Sequence, residues 1–305
     1  MLDNTTNIIS IDNELEKISF PVEIQDIPTI PSSEYRKLVR TDTNDFLGMC
    51  KSMYKPINHK TAFGGAVEAM KKGDIDFTDC QFSVKSFENG ALAQMEITFP
   101  KHTAKVGDHN LYLKFVARNS YNGKWKFQSF FGWLNQVCFN TLVSGQQLAY
   151  TANRHTTHFD VDQALVKIKN AVKAVTLETD QFNKWWNTRI TDQEAVNIFR
   201  KTLAKLQLNQ AKVTAGAKTV NQKCLTTLMN IYDKEVTQIY GSGEYGRNGV
   251  DGSLWCAYQS ATEWSTHLAD FENKDNAKKY LIEQKRQDAV RGMLNSPQWK
   301  ELEVA

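Results

Sequence analysis

The sequence predicts an α+β fold: an antiparallel sheet of about four to six strands with a flanking helix in the N-terminal half, then a helical C-terminal half. Three observations carry this. Asn-Gly turns separate short β-rich runs between 81 and 134, apolar residues recur with helical period from 161 onward, and strands precede helices without alternating with them.

Taken in order, residues 1–33 read as an extended or mobile arm, because Pro21, Pro28 and Pro31 interrupt any periodic pattern. Tyr35 to Arg40 and Phe46 to Cys50 read as short strands. Tyr54-Lys55-Pro56-Ile57-Asn58 is a turn whose Asn can cap a helix from His59 to Lys72. Gln81 to Phe87 and Ala91 to Phe99 flank Glu88-Asn89-Gly90, where Asn-Gly supplies the positive φ angles of a tight hairpin. Asn110 to Asn119 and Lys124 to Leu134 flank a second such turn, Ser120-Tyr121-Asn122-Gly123. Val161, Ala164, Leu165, Ile168, Ala171, Val172 and Val175 then mark an amphipathic helix after an Asp160 or Asp162 cap. The same period covers Asp192 to Leu208, Val220 to Tyr240, Gly252 to Asp270 and Asn276 to Leu294. This divides the chain into an arm (1–33), a sheet domain (34–150) and a helical region packed on it (151–305).

A chain of 305 residues with 41% hydrophobic and 23% charged residues has material for a real core, which excludes wholesale disorder. No run approaches the length of a membrane span, and the first residues carry no basic, apolar leader, so no membrane partner is expected. The five cysteines are widely spaced with no C-x-x-C, which writes neither a disulfide framework nor a zinc ribbon. A reducing cytosol is the expected home. Net charge is only +3, but residues 97–230 carry +11 between flanks of −5 and −3. Such a block attracts phosphate across a Debye length of about 8 Å if the fold gathers it on one surface.

Strand alternation suggests where it gathers. In one strand of the second hairpin Leu111, Leu113, Phe115 and Ala117 form a core face, leaving Tyr112, Lys114, Val116 and Arg118 outside. In the return strand Lys124, Lys126, Gln128 and Phe130 share the outer face. Together Lys114, Arg118, Lys124 and Lys126 with Tyr112 and Phe130 make a basic surface with aromatic platforms, the chemistry that holds a single nucleic-acid strand by backbone charge and base stacking. Lys101 and Lys105 in the loop before the hairpin, Arg154, and the i, i+4 pair Lys169 and Lys173 extend the set.

Motifs for catalysis fail on context. Gly241-Ser242-Gly243-Glu244-Tyr245-Gly246 matches G-x-G-x-x-G but follows a helix, so it reads as a loop, and no P-loop is present. His155 and His158 have no third ligand, and Asp74, Asp76 and Asp79 are explained by turns. Cys138 has no base assigned to it. Trp185, Trp186, Trp255, Trp264 and Trp299 read as packing residues. No cofactor, metal or catalytic residue is nominated, and a metal-dependent nuclease ranks last among the readings.

Several blocks together resemble the phage/plasmid-like protein family known as domain of unknown function 932. They are Tyr54 to Asn58, Asn119 to Gly123, Val137-Cys138-Phe139-Asn140-Thr141, Arg154-His155-Thr156, and Gly252-Ser253-Leu254-Trp255-Cys256-Ala257-Tyr258-Gln259-Ser260-Ala261-Thr262-Glu263-Trp264 with His267. The resemblance spans roughly 40–295 and implies a mobile-element origin without an established activity. Tyr121 and Asn122 stand where the family often has His-Asp, and Asn135 where it often has Arg. The element order over 59–148 is also similar to that of single-strand annealing proteins, a likeness of fold order. The leading expectation is a phage or plasmid protein that binds single-stranded DNA, with ATP-independent annealing or replication-linked recombination as its role. It would be a homo-oligomer working beside a host or phage replication protein. The alternative is a phage-encoded interaction protein, a host-defence inhibitor or structural component, that binds no nucleic acid.

Overall fold

The first helix of the protein lies where an arm was expected. The computed structural model describes residues 4–32, 34–135, 141–142, 150–153, 179–208, 222–241, 250–266 and 276–304. Its elements are α1 (Asn4–Glu16), β1 (Val22–Gln25), β2 (Arg36–Arg40), β3 (Asp45–Cys50), α2 (His59–Lys71), β4 (Gln81–Phe87), β5 (Leu92–Val106), β6 (His109–Ser120), β7 (Phe127–Asn135), β8 (Thr141–Leu142) and β9 (Tyr150–Asn153). There follow α3, described over 179–187, β10 (Arg189–Ile190), α4 (Asp192–Leu208), α5 (Gln222–Tyr240), β11 (Gly252–Ser253), α6 (Leu254–Thr266), α7 (Asn276–Leu294) and α8 (Pro297–Val304). The architecture is α+β with antiparallel sheets and a helical C-terminal half, as the sequence predicts. The helix expected over 161–175 lies outside the described residues.

Two compact units divide the chain, and they interleave in sequence where periodicity alone places a boundary at 150. One comprises residues 1–103, 112–132 and 146–175, the other 104–111, 133–145 and 176–305. Strand order is β1-β2-β3 in one sheet and β4-β5-β6-β7-β8 in the other, with β9 also on β7. The hairpin at Glu88-Asn89-Gly90 forms as read: Phe87 faces Leu92, and Glu88, Asn89 and Gly90 all take positive φ. A hairpin that escaped the sequence reading joins β5 to β6 at Gly107, φ +53°, so Lys101 and Lys105 lie on a strand and not in a loop. Asn58 caps α2 by accepting from the Lys60 N–H at 2.8 Å.

In the first unit, Ala62, Phe63, Ala66, Val67 and Met70 bury one stripe of α2. Met95, Ile97 and Phe99 of β5, Leu113, Phe115 and Ala117 of β6, and Phe127 and Phe131 of β7 are likewise buried. Phe115 and Phe131 touch with centroids 5.0 Å apart. Helix α1 packs on α2 through the buried Ile11 and Leu15, and Asn7 donates to the Phe77 carbonyl at 2.9 Å. The prolines that suggested an extended arm all follow this helix, and the i, i+4 spacing of Ile11 and Leu15 is the apolar stripe that forms it.

In the second unit, Phe182, Trp185, Trp255, Tyr258 and Trp299 are all buried and in ring contact. The Trp185 and Trp299 indoles both donate to Glu303 Oε1, at 2.8 and 3.0 Å, which ties α8 to the cluster. Trp186 lies so close over Gly107 that a Cβ there would come within 2.1 Å of its ring. These tryptophans pack, as the sequence reading holds.

Leu15→Ala is expected to cost about 2–5 kcal/mol in urea denaturation, the usual price of truncating a buried leucine. An arm outside the core would register no change.

Candidate functional site

Two family-like blocks far apart in sequence meet in the first unit. Asn119 donates through Nδ2 to the Ile57 carbonyl and to His59 Nδ1, both at 2.9 Å. A carbonyl can only accept, so His59 Nε2, 2.8 Å from the Gly90 oxygen, carries the ring proton and Nδ1 is the acceptor. Asn58 Nδ2 reaches the Phe20 carbonyl at 3.3 Å, and the Tyr54 hydroxyl donates to the Ser120 carbonyl at 2.9 Å. The Tyr121 amide donates to Ala91 at 2.7 Å, and its ring lies 4.4 Å from His59. Burial pushes the Tyr121 phenol up to about 12 and raises Tyr54 as well, so both stay neutral.

This knot fixes two turns beside β3. Asn122 Nδ2 donates to Glu88 Oε2 at 2.8 Å, and Lys124 pairs with the other oxygen of the same carboxylate. Asn122 also lies against Gly48, where a Cβ would fall 2.6 Å from its own. Between these turns and the strand runs a cleft of about 490 Å³ lined by Phe46, Leu47, Gly48, Met49, Glu88, Asn89, Asn122 and Lys124. Phe46 is 60% and Met49 46% exposed, with Met53 at 58% just beyond. β3 ends its sheet, and Leu38 faces Gly48 while Val39 faces Phe46, so Leu47 is an extra residue in a bulge.

The basic surface expected on the second hairpin forms only in part. Lys114 and Arg118 do come together, around Glu96: Lys114 Nζ is 2.8 Å from its Oε2. Burial alone would push the Glu96 carboxyl up, but Lys114, Lys85 and Arg118 outweigh it and hold it below the usual carboxylate range. Lys85, on β4, is a member of the group that the sequence reading missed. Its signal was the strand pairing, which sets Lys85 opposite Gln94.

The rest departs from expectation. Arg118 is 2% exposed and bonds Gln94 Oε1 through Nε at 2.6 Å, and Phe130 is buried, so neither is an open phosphate contact or stacking platform. Val116, Gln128 and Thr98 on the same face are also buried. The face taken as solvent-exposed is covered at this end. Lys124 belongs to the cleft wall, Lys101 is 3.9 Å from Asp79, Tyr112 is half-buried, and Lys126 and Lys105 are exposed. Arg154, Lys169 and Lys173 lie outside the described residues, as do His155, His158, Asp160, Asp162, Cys138, His267 and residues 242–246 of the glycine-rich loop. Gly241, φ +79°, follows the end of α5. Asp76 accepts from the Thr78 amide at 2.8 Å, the turn role expected of it. Among the described residues no group of three or more His, Cys, Asp or Glu could hold a metal ion, and no helix is long and apolar enough to cross a membrane.

The family described as domain of unknown function (DUF932) matches residues 46–290, and the chain belongs to it. Neither a curated protein nor a solved structure matches the chain. The family's span holds the whole knot from Tyr54 to Gly123 and the Gly252–Trp264 block, most of which is buried in α6.

Asn119→Ala is expected to destabilise the protein by about 1–3 kcal/mol, because it leaves the Ile57 carbonyl and the His59 ring nitrogen without their donor. Asn89→Ala should cost about 1–2 kcal/mol in the same urea titration, because residue 89 holds φ +54°, a left-handed angle that asparagine adopts far more readily than alanine.

Proposed function

We propose that this chain is a protein-interaction module of a phage or plasmid element, which holds an extended, uncharged segment of a partner protein along the outer edge of β3, an edge that pairs with no further strand among the described residues. The cleft beside Phe46 and Met49 carries the reading. A terminal strand offers backbone donors and acceptors to an added strand, and exposed apolar side chains on it supply pockets for alternate residues. The cleft's volume lies within the roughly 300–1,000 Å³ of ordinary ligand sites. Its charge decides the class of occupant. Glu88 is matched by Lys124 and by the Asn122 amide, so the lining has no surplus positive charge for a phosphate backbone, while the Asn89 amide suits a peptide main chain.

Selection of an mRNA-displayed library of random peptides on the full chain tests this. Peptides with alternating apolar residues are expected to enrich on the wild type at least about tenfold over Phe46→Asp/Met49→Asp, a loss of about 1.4 kcal/mol of binding. Equal recovery on both would overturn the assignment.

Single-strand binding, the leading expectation from the sequence, is the second reading, and one observation favours it. Lys85, Lys114 and Arg118 converge on the single carboxylate of Glu96, and Lys85 is exposed at the sheet edge. It predicts that a labelled oligothymidine is retarded in a low-salt gel. Replacing Lys85, Lys114 and Lys126 by Ala would then flatten the salt dependence by about 0.7 per lost phosphate contact. No retardation at micromolar protein rejects this reading and leaves the peptide reading standing.

A further inference from the structure

In the second unit, α5 and α6 pack against one another, and their contact holds two carboxylates. Glu235 on α5 is 1% exposed, and its Oε1 is buried without a hydrogen-bond donor among the described residues. Glu263 on α6 keeps a buried Oε2 in the same condition, while its Oε1 is 3.5 Å from Lys234 Nζ. Cys256, Ser260 and Glu263 follow one another at i, i+4, i+7 along α6, and Cys256 is fully buried. Cys256 N–H closes the helix start on Ser253 Oγ at 3.4 Å.

Among the described residues the charged surroundings are sparse. On its own helix Glu235 feels Lys234, and from α6 it feels Glu263; Cys256 in turn feels Glu235, and Arg189 from β10. β11 contributes only Gly252 and Ser253. On α4, which also packs against α5, Asp192, Arg200 and Lys201 are exposed and Glu194 accepts from Thr191. A carboxylate so placed has lost its water and, among the described residues, gained no donor at Oε1, whereas its protonated form loses far less on burial.

We infer that the α5–α6 contact is a proton-sensitive latch: with Glu235 protonated the helices close over Cys256, and loss of that proton puts a bare carboxylate beside Glu263, which the helices relieve by separating. Burial, followed by the charge of Glu263, pushes Glu235 from an ordinary 4.5 up to about 7, with Lys234 opposing. The closed state therefore binds more protons than the open one across that interval. Its stability is complete below about 4.5, falls as pH rises, and reaches its lower plateau above about 7.

Alkylation of Cys256 by N-ethylmaleimide, read by peptide mass spectrometry on the full chain, tests this. Thiol reactivity itself rises with pH, so the quantity compared is the wild-type rate divided by that of Glu235→Gln at each pH. The ratio is expected near one at pH 4.5 and to rise about tenfold or more by pH 8.5. The same ratio at Cys50, buried in the other unit, is expected to stay flat, which separates local opening from global unfolding. Glu263→Gln provides a second reading should Glu235→Gln not fold: removing the neighbouring charge should slow Cys256 labelling at pH 8.5 relative to wild type. A ratio at Cys256 that does not change with pH, or Glu263→Gln labelling as fast as wild type, overturns the latch.

Discussion

The first unit depends on one buried amide. Asn119 comes from the end of β6, yet its two N–H groups go to the residue before the α2 cap and to the first residue of α2. His59 relays the constraint by donating to Gly90 in the turn between β4 and β5. Strand end, helix start and turn are thus held by three hydrogen bonds made where no water competes for them, so each carries the full cost of being broken. Gly90 takes φ +95°, with the Phe20 ring 2.5 Å from where a Cβ would be. Only glycine fits both the angle and the space.

From that knot the cleft follows as a consequence. The turns it anchors carry Glu88, Asn89, Asn122 and Lys124, and Asn122 among them lies against Gly48 of β3. Many residues of the family-like blocks are buried, so what those blocks record is largely how the scaffold is held. The proposed recognition surface is built from neighbours, Phe46 and Met49 above all, that stand on an edge strand and carry no pattern of their own. In the second unit the same holds for Gly252 to Trp264, whose glycine accommodates the Tyr232 hydroxyl and whose tryptophan and tyrosine join the aromatic cluster.

Charge along the chain turned out to be a poor guide to charge on the surface. Lys114 and Lys124 sit in the basic stretch, but their nearest anions, Glu96 and Glu88, come from the acidic segment before it. Folding an antiparallel sheet sets those strands side by side, so Lys101, Lys114 and Lys124 each face an anion from the acidic segment.

What local chemistry dictates was legible without coordinates. The Asn58 cap, the Asn-Gly turn, the strands β2 and β3, and the helices α4 and α7 all appear close to where period and turn residues place them, because those signals act within a few residues. Helix α1 was obscured by prolines that lie beyond its end, and the strand half of β5 past Pro100 by a turn with a lone glycine. Burial of Arg118 and Phe130 belongs to a different level. Alternation assigns each to a face of the sheet, but whether a face meets water depends on chain arriving from elsewhere, and that is a property of packing between distant segments which no local period encodes.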